Sequence, residues 1–100
     1  VHNLQLRGMS DEIRPGVIAN HKLPEGDITK MVTQFFGIPV DIVIFGRTCY
    51  GTIENHEGIL FINPGSPNLP RNLRKLGNVA VLNLTSDEKV AHLIELSDII

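Results

Sequence analysis

The sequence predicts an α/β (α+β) domain in which one main helix packs on a mixed, largely antiparallel sheet. One segment, Glu25 to Phe36, carries apolar residues at helical spacing. Several short runs rich in valine, isoleucine and leucine are each bounded by glycine, proline or asparagine. After residue 48 those runs are joined by short turns, which is hairpin grammar and gives the sheet its antiparallel part.

In chain order, Leu4 and Leu6 alternate with Asn3, Gln5 and Arg7, the pattern of a short strand ending at Gly8. Pro15-Gly16 punctuates before a second short strand at Val17 to Ala19, and the two frame a loop carrying Met9, Ser10 and Asp11. In the helix, Ile28, Met31, Val32 and Phe35 share one face, Asp27 is the predicted N-cap, and Gly37 followed by Pro39 stops it. A buried strand follows at Ile42 to Phe45 and exits through Gly46. Thr48 to Ile53 and Ile59 to Ile62 read as strands around a turn at Asn55-His-Glu-Gly58. Ser66 to Gly77, with Pro67 and Pro70 among polar residues, reads as a surface loop. Val79 to Leu84 and Val90 to Leu96 are two more strands, joined at Thr85 to Glu88. With one helix, only one face of the sheet is covered, and the other is expected to meet another chain or to lie open as an apolar patch.

One hundred residues with 42% apolar and 20% charged content describe a single domain, residues 1–100. The net charge of −2, with basic residues scattered apart from Arg71, Arg74 and Lys75, predicts no nucleic-acid partner and no membrane surface. A single cysteine, Cys49, excludes an internal disulfide and fits a reducing, cytoplasmic setting. The first residues, Val1 to Arg7, lack the basic head and long apolar body of a signal peptide, and no run approaches a membrane span. Val1 falls inside a strand-like pattern, which predicts a processed start or the later part of something longer.

Asp41-Ile-Val-Ile-Phe-Gly-Arg-Thr-Cys49, Gly58-Ile-Leu-Phe-Ile-Asn-Pro-Gly-Ser-Pro67 and Leu69-Pro-Arg71 together resemble the later half of small calcineurin-like metallophosphoesterases of the YfcE type. That group includes a retromer subunit used as a protein-binding scaffold. The resemblance covers roughly residues 4 to 96, and its Asn-Pro-Gly-Ser portion is the more specific part. It implies a four-layer α/β/β/α sandwich with two metal ions at the carboxyl ends of the strands. The family's first two ligand motifs, Asp-x-His and Gly-Asp, have no counterpart in this chain.

The remaining ligand motifs are degenerate. Gly8-Met-Ser-Asp11 stands where the family has Gly-Asn-x-Asp, so Asp11 matches while Met9, a soft thioether, replaces the asparagine. Ala19-Asn-His21 stands at His-Gly-His, so Ala19 takes a ligand position and only His21 survives. At Gly-His-Thr-His the two ligands become Arg47 and Cys49. A two-metal centre needs enough carboxylate, imidazole and amide donors to hold both ions and still leave room for hydroxide and substrate oxygens. A permanent cation at Arg47 opposes that.

The sequence therefore assigns no catalytic residue and no metal ligand, with Asp11 and His21 as residual candidates for Mn²⁺ or another divalent metal. Arg47 beside Asn63 and Ser66 offers forked donors to a phosphate; a salt bridge from Arg47 to Asp11 or Asp41 is the favoured alternative. A thiolate–imidazole pair of Cys49 and His21 is outweighed by a small, half-buried cysteine at a strand edge. His2, His56 and His92 read as solvated surface. The function these readings favour is a degenerate, non-catalytic protein of this fold, working with no cofactor through protein contacts or as a homo-oligomer. A phosphodiesterase with residual activity, or the later portion of a longer such enzyme, is the alternative.

Overall fold

A computed structural model describes Val1, Leu4, Leu6, Ile13 and residues 15–20, 24–46, 50–66, 68–69 and 72–98. Its elements are α1 (Val17–Asn20), α2 (Asp27–Phe36), β1 (Ile42–Ile44), β2 (Thr52–His56), β3 (Ile59–Asn63), β4 (Asn68–Leu69), β5 (Asn72–Leu76), β6 (Asn78–Leu84), β7 (Lys89–Glu95) and a closing 3₁₀ turn at Leu96–Asp98. β1, β3 and β2 form a mixed sheet in that order, β1 parallel and β2 antiparallel to β3. β4 with β5 and β6 with β7 make two antiparallel ribbons. A small α+β domain with a mixed sheet and one main helix is thus what the chain forms.

β3 is the centre. All five of its residues are buried, and strand alternation sends Ile59 and Phe61 to one face and Leu60 and Ile62 to the other. The first face meets the helices: Phe61 and Val43 pack with Ile18, Ile28, Val32, Leu4, Leu6, Ile13 and Phe45. The β6–β7 ribbon is tied to this sheet at two places. Lys89 of β7 donates to the carbonyls of Asp41 and Gly58 at the start of β1 and β3. At the other end, Asn78 and Leu93 lie against Gly51. On the second face of β3, Leu60 is 5% and Ile62 2% exposed. The face expected to be open is therefore buried at β3, while Ile44 of β1, beside Ile62 on that same face, stays exposed, as do Val81, Leu84, Val90 and Leu93 of the ribbon.

Helix α2 is capped one residue earlier than predicted. Gly26, with φ 90°, is the N-cap and offers no side chain; Asp27 is the first helical residue. The missing cap arrives from the β2–β3 hairpin. Glu57 accepts from Ile28 N at 3.3 Å, Thr29 N at 3.3 Å and Thr29 Oγ1 at 2.8 Å, placing a carboxylate where the helix presents its free N–H groups. At the far end, Gly37 at φ 79° closes the helix with its N–H on Thr33 O.

Several expectations are corrected. Val17 to Ala19 is one turn of helix, because Gly16 N–H donates to Glu54 Oε2 at 2.9 Å and Ile18 drops into the core, a tertiary pull stronger than β-branched propensity. Leu4 and Leu6 join the core and Val1 N donates to Ile44 O at 2.8 Å, while the other residues of the predicted first strand lie outside the described residues. Residues 66–77 contain the β4–β5 pair, since the two prolines flank the paired residues rather than interrupt them. β2 starts at Thr52, later than predicted, and runs through Asn55 and His56, so the turn shrinks to Glu57-Gly58. Both turn residues have positive φ, 54° and 79°, the form that matches strand twist. His56 is half-buried, its ring edge-on to Phe61 at 5.7 Å and its Nε2 2.8 Å from Glu54 Oε1. His92 is exposed.

Partial burial pushes the Glu57 carboxyl up, but its hydrogen bonds from Thr29, Ile28 and Gly26 outweigh this and hold it below the ordinary value. A lowered folded-state value contributes stability above the unfolded carboxylate range and loses it as pH falls through the folded value. Because Glu57 is exposed and solvent screens its charge, Glu57→Gln should lower stability by no more than about 0.5 kcal/mol at neutral pH in urea unfolding. The gap from the parent should close as the acid range is entered.

Candidate functional site

Because β1 and β3 are parallel, both leave the sheet at the same end, and antiparallel β2 starts there. Phe45 N donates to Ile62 O at 2.9 Å, carrying the parallel pairing one residue past β1 to Gly46. Thr52 pairs with Asn63, and its hydroxyl donates to Tyr50 O at 3.1 Å. Gly46, Tyr50 and the Asn63-Pro64-Gly65-Ser66 turn thus gather at the carboxyl end of the parallel pair, where α/β sheets commonly place their sites.

Asn63 organises this end. It has no solvent exposure; its Oδ1 accepts from Gly65 N at 2.9 Å and its Nδ2 donates to Gly46 O over a long 3.5 Å. One amide so closes its own turn and ties that turn to the exit of β1. Pro64 cannot extend the strand, and Gly65, at φ 77°, takes a conformation that side chains resist. Ser66, half-buried, accepts from Asn78 N through its carbonyl at 2.8 Å, which joins the turn to the ribbon.

Asn78 is the residue that sequence reasoning missed. Its amide fills the space between Gly51 and Gly65, so a methyl group on either α-carbon would overlap it. The available signal was an asparagine directly after Gly77 at the head of an apolar strand, which reads as turn chemistry. Here it is the contact between two layers. The turn residues Gly46, Tyr50, Gly51, Thr52, Asn63, Pro64, Gly65, Ser66 and Asn78 are all uncharged.

Of the predicted site positions, Asn63 and Ser66 are brought together with Gly46, and Ala19 lies on the exposed side of α1 with only a methyl group to offer. Met9, Asp11, His21, Arg47 and Cys49 lie outside the described residues, as does His2. Asp41, one proposed partner of Arg47, is exposed at the opposite end of β1 from Gly46, and its carbonyl accepts from Leu60 N and Lys89. Among the described residues no group of three or more histidine, cysteine, aspartate or glutamate side chains is placed to hold a metal ion. No helix among them is long and apolar enough to cross a membrane.

No family model matches the chain. A protein of Mycoplasma pneumoniae (strain ATCC 29342 / M129 / Subtype 1) named "Probable metallophosphoesterase" is 36% identical over 69 residues, 65% of this chain and 43% of that protein. The match thus spans less than half the length of that relative. No solved structure matches. The similarity supports a relation at the level of the metallophosphoesterase superfamily.

Removal of the Asn63 amide leaves the half-buried Gly65 N–H without this acceptor. Asn63→Ala should lower stability by about 1–3 kcal/mol, read from urea unfolding. Ser66→Ala, which keeps the carbonyl used by Asn78, should shift the same curve far less.

Proposed function

We propose that this chain is a degenerate metallophosphoesterase-type domain that has no metal-dependent activity of its own and acts through protein contacts. The observation that carries this reading is the pairing of an intact frame with unsuitable donors. Gly46 and the Asn63-to-Ser66 turn are built and tied together at the strand ends. The positions that would supply metal ligands hold Met9, Ala19, Arg47 and Cys49. A thioether, a methyl group and a guanidinium do not fit a hard divalent centre, and Cys49 alone does not make one. The single cysteine and neutral-to-acidic composition favour a reducing, cytoplasmic setting.

Two features support a second reading, in which these residues are the later portion of a longer enzyme of the YfcE type. The relative extends well beyond the match, and the β6–β7 ribbon keeps apolar residues such as Val81 and Val90 exposed on its outer side. In that case Asp11 and His21 would contribute to a site completed elsewhere, and the coding sequence upstream of Val1 decides the matter. Phosphate binding by Arg47 with Asn63 and Ser66 is compatible with either. Asn63 already spends its carbonyl and one amide direction on the frame, which leaves Arg47 as the principal donor.

The purified chain, dialysed against Mn²⁺, should carry metal well below one ion per chain and should hydrolyse bis-p-nitrophenyl phosphate no faster than buffer does. Metal content and turnover are measured on the same sample. Stoichiometric metal with turnover that disappears in Asp11→Ala would sink the proposal.

A further inference from the structure

The β6–β7 ribbon has a defined hydrogen-bonding phase. Leu96 N donates to Gly77 O and Thr85 N to Glu88 O, one at each end of a register that runs without a shift from Asn78↔Glu95 to Leu84↔Lys89. Antiparallel pairs alternate between bonded and non-bonded. Counting inward from both ends, Val79↔Ile94, Val81↔His92 and Asn83↔Val90 are the bonded pairs. The backbone N–H and C=O groups of Lys89, Ala91, Leu93 and Glu95 therefore point away from β6. None of them makes a hydrogen bond among the described residues. On the β6 side the corresponding edge is engaged at its first residue, where Asn78 N donates to Ser66 O.

An open strand edge is a template for another strand, and proteins normally blunt it with proline, a bulge or a central charge. β7, Lys89-Val-Ala-His-Leu-Ile-Glu95, has none of these. Its only formal charges stand at its two ends and are of opposite sign. We propose that the outer edge of β7 pairs antiparallel with the same edge of a second copy of this chain, about a two-fold axis at His92.

That axis is selected by the sequence of the strand. It sets Lys89 opposite Glu95 of the second copy, Val90 opposite Ile94 and Ala91 opposite Leu93, so every pair off the axis is matched in charge or in apolar character. The outward-pointing residues 89, 91, 93 and 95 then meet one another as bonded pairs, as an antiparallel ladder requires. Because the interface is isologous, each favourable pair occurs twice. A two-stranded ribbon, marginal alone, becomes part of a four-stranded sheet. Lys89 can take part without leaving the fold, because an ammonium has three donors and, among the described residues, Asp41 O and Gly58 O use two of them.

The pairing rests on the contact-based reading above and names its partner. Sedimentation of the full chain over a wide concentration range should show a monomer–dimer equilibrium. Lys89→Glu and Glu95→Lys should each weaken association about tenfold, since each places like charges opposite one another twice. An equimolar mixture of the two variants should recover it, because position 89 of each copy then carries the opposite charge to position 95 of the other. Within one copy these residues stand at opposite ends of β7, so recovery on mixing cannot come from a repaired monomer. Glu95→Lys leaves the contacts of Lys89 to Asp41 and Gly58 in place and serves if Lys89→Glu fails to fold. Ala91→Pro, which removes an outward N–H and no ribbon bond, should give a monomer with an unchanged circular dichroism spectrum. A parent protein that stays monomeric, or a dimer indifferent to both charge reversals and to Ala91→Pro, overturns the pairing. Neither result touches the contact-based reading, which falls on metal-dependent turnover instead.

Discussion

Burial of β3 on both faces is the constraint from which the rest of the architecture follows. A strand reading Ile-Leu-Phe-Ile-Asn has no face to give to solvent. Both sides must be roofed. Residues before β1 provide Ile18, Ile28 and Val32 for the first face, and from the later part of the chain β7 reaches the ends of the sheet through Lys89. Lys89 illustrates how the second layer is registered. Its stem runs along the ribbon and its ammonium reaches carbonyls at the start of β1 and β3, so one flexible side chain sets where the ribbon begins.

The helical layer is held by charge as much as by apolar contact. Glu54 and Glu57, on the β2–β3 hairpin, receive the N–H groups of Gly16 before α1 and of Ile28 and Thr29 in α2. Helix starts expose N–H groups that need acceptors, and α2 carries no capping side chain of its own that meets the need. The arrangement explains a residue that otherwise looks misplaced. Glu57 adopts φ 54°, a conformation usually left to glycine or asparagine, in the first position of a tight turn. Strain of that kind persists where surrounding contacts over-determine it, and here the contacts are those to α2. Sheet, turn and helix are one mechanical unit because the same carboxylate belongs to all three.

The parts of this fold legible in the sequence were those fixed by local pattern. The periodicity of Ile28, Met31, Val32 and Phe35 and the Gly37 stop gave α2 within two residues, and Val79 to Leu84 gave β6 within one. What was not legible depended on distant partners. Val17 and Ile18 prefer a strand until Glu54 is brought to Gly16, and nothing near Gly26 says that its cap will come from residue 57. The β4–β5 pair was hidden by Pro67 and Pro70, which signal a loop whether they interrupt a ladder or merely bracket it. At the candidate site, Asn63 and the glycine after it were visible as a turn. The role of Asn78 was not, because it exists only once two layers meet at Gly51 and Gly65.

The frame at the strand ends and the chemistry that such a frame can carry use different atoms. The frame consists of backbone groups of Gly46, Gly65 and Ser66 and of one side-chain amide, that of Asn63. A metal centre would use side-chain donors projecting beyond those turns, and the frame closes without them. Every buried polar atom among the described side chains has a partner within the chain, so the turns need no ion to satisfy them. The similarity that supports a metallophosphoesterase relation is therefore evidence about how the chain folds before it is evidence about what the chain does.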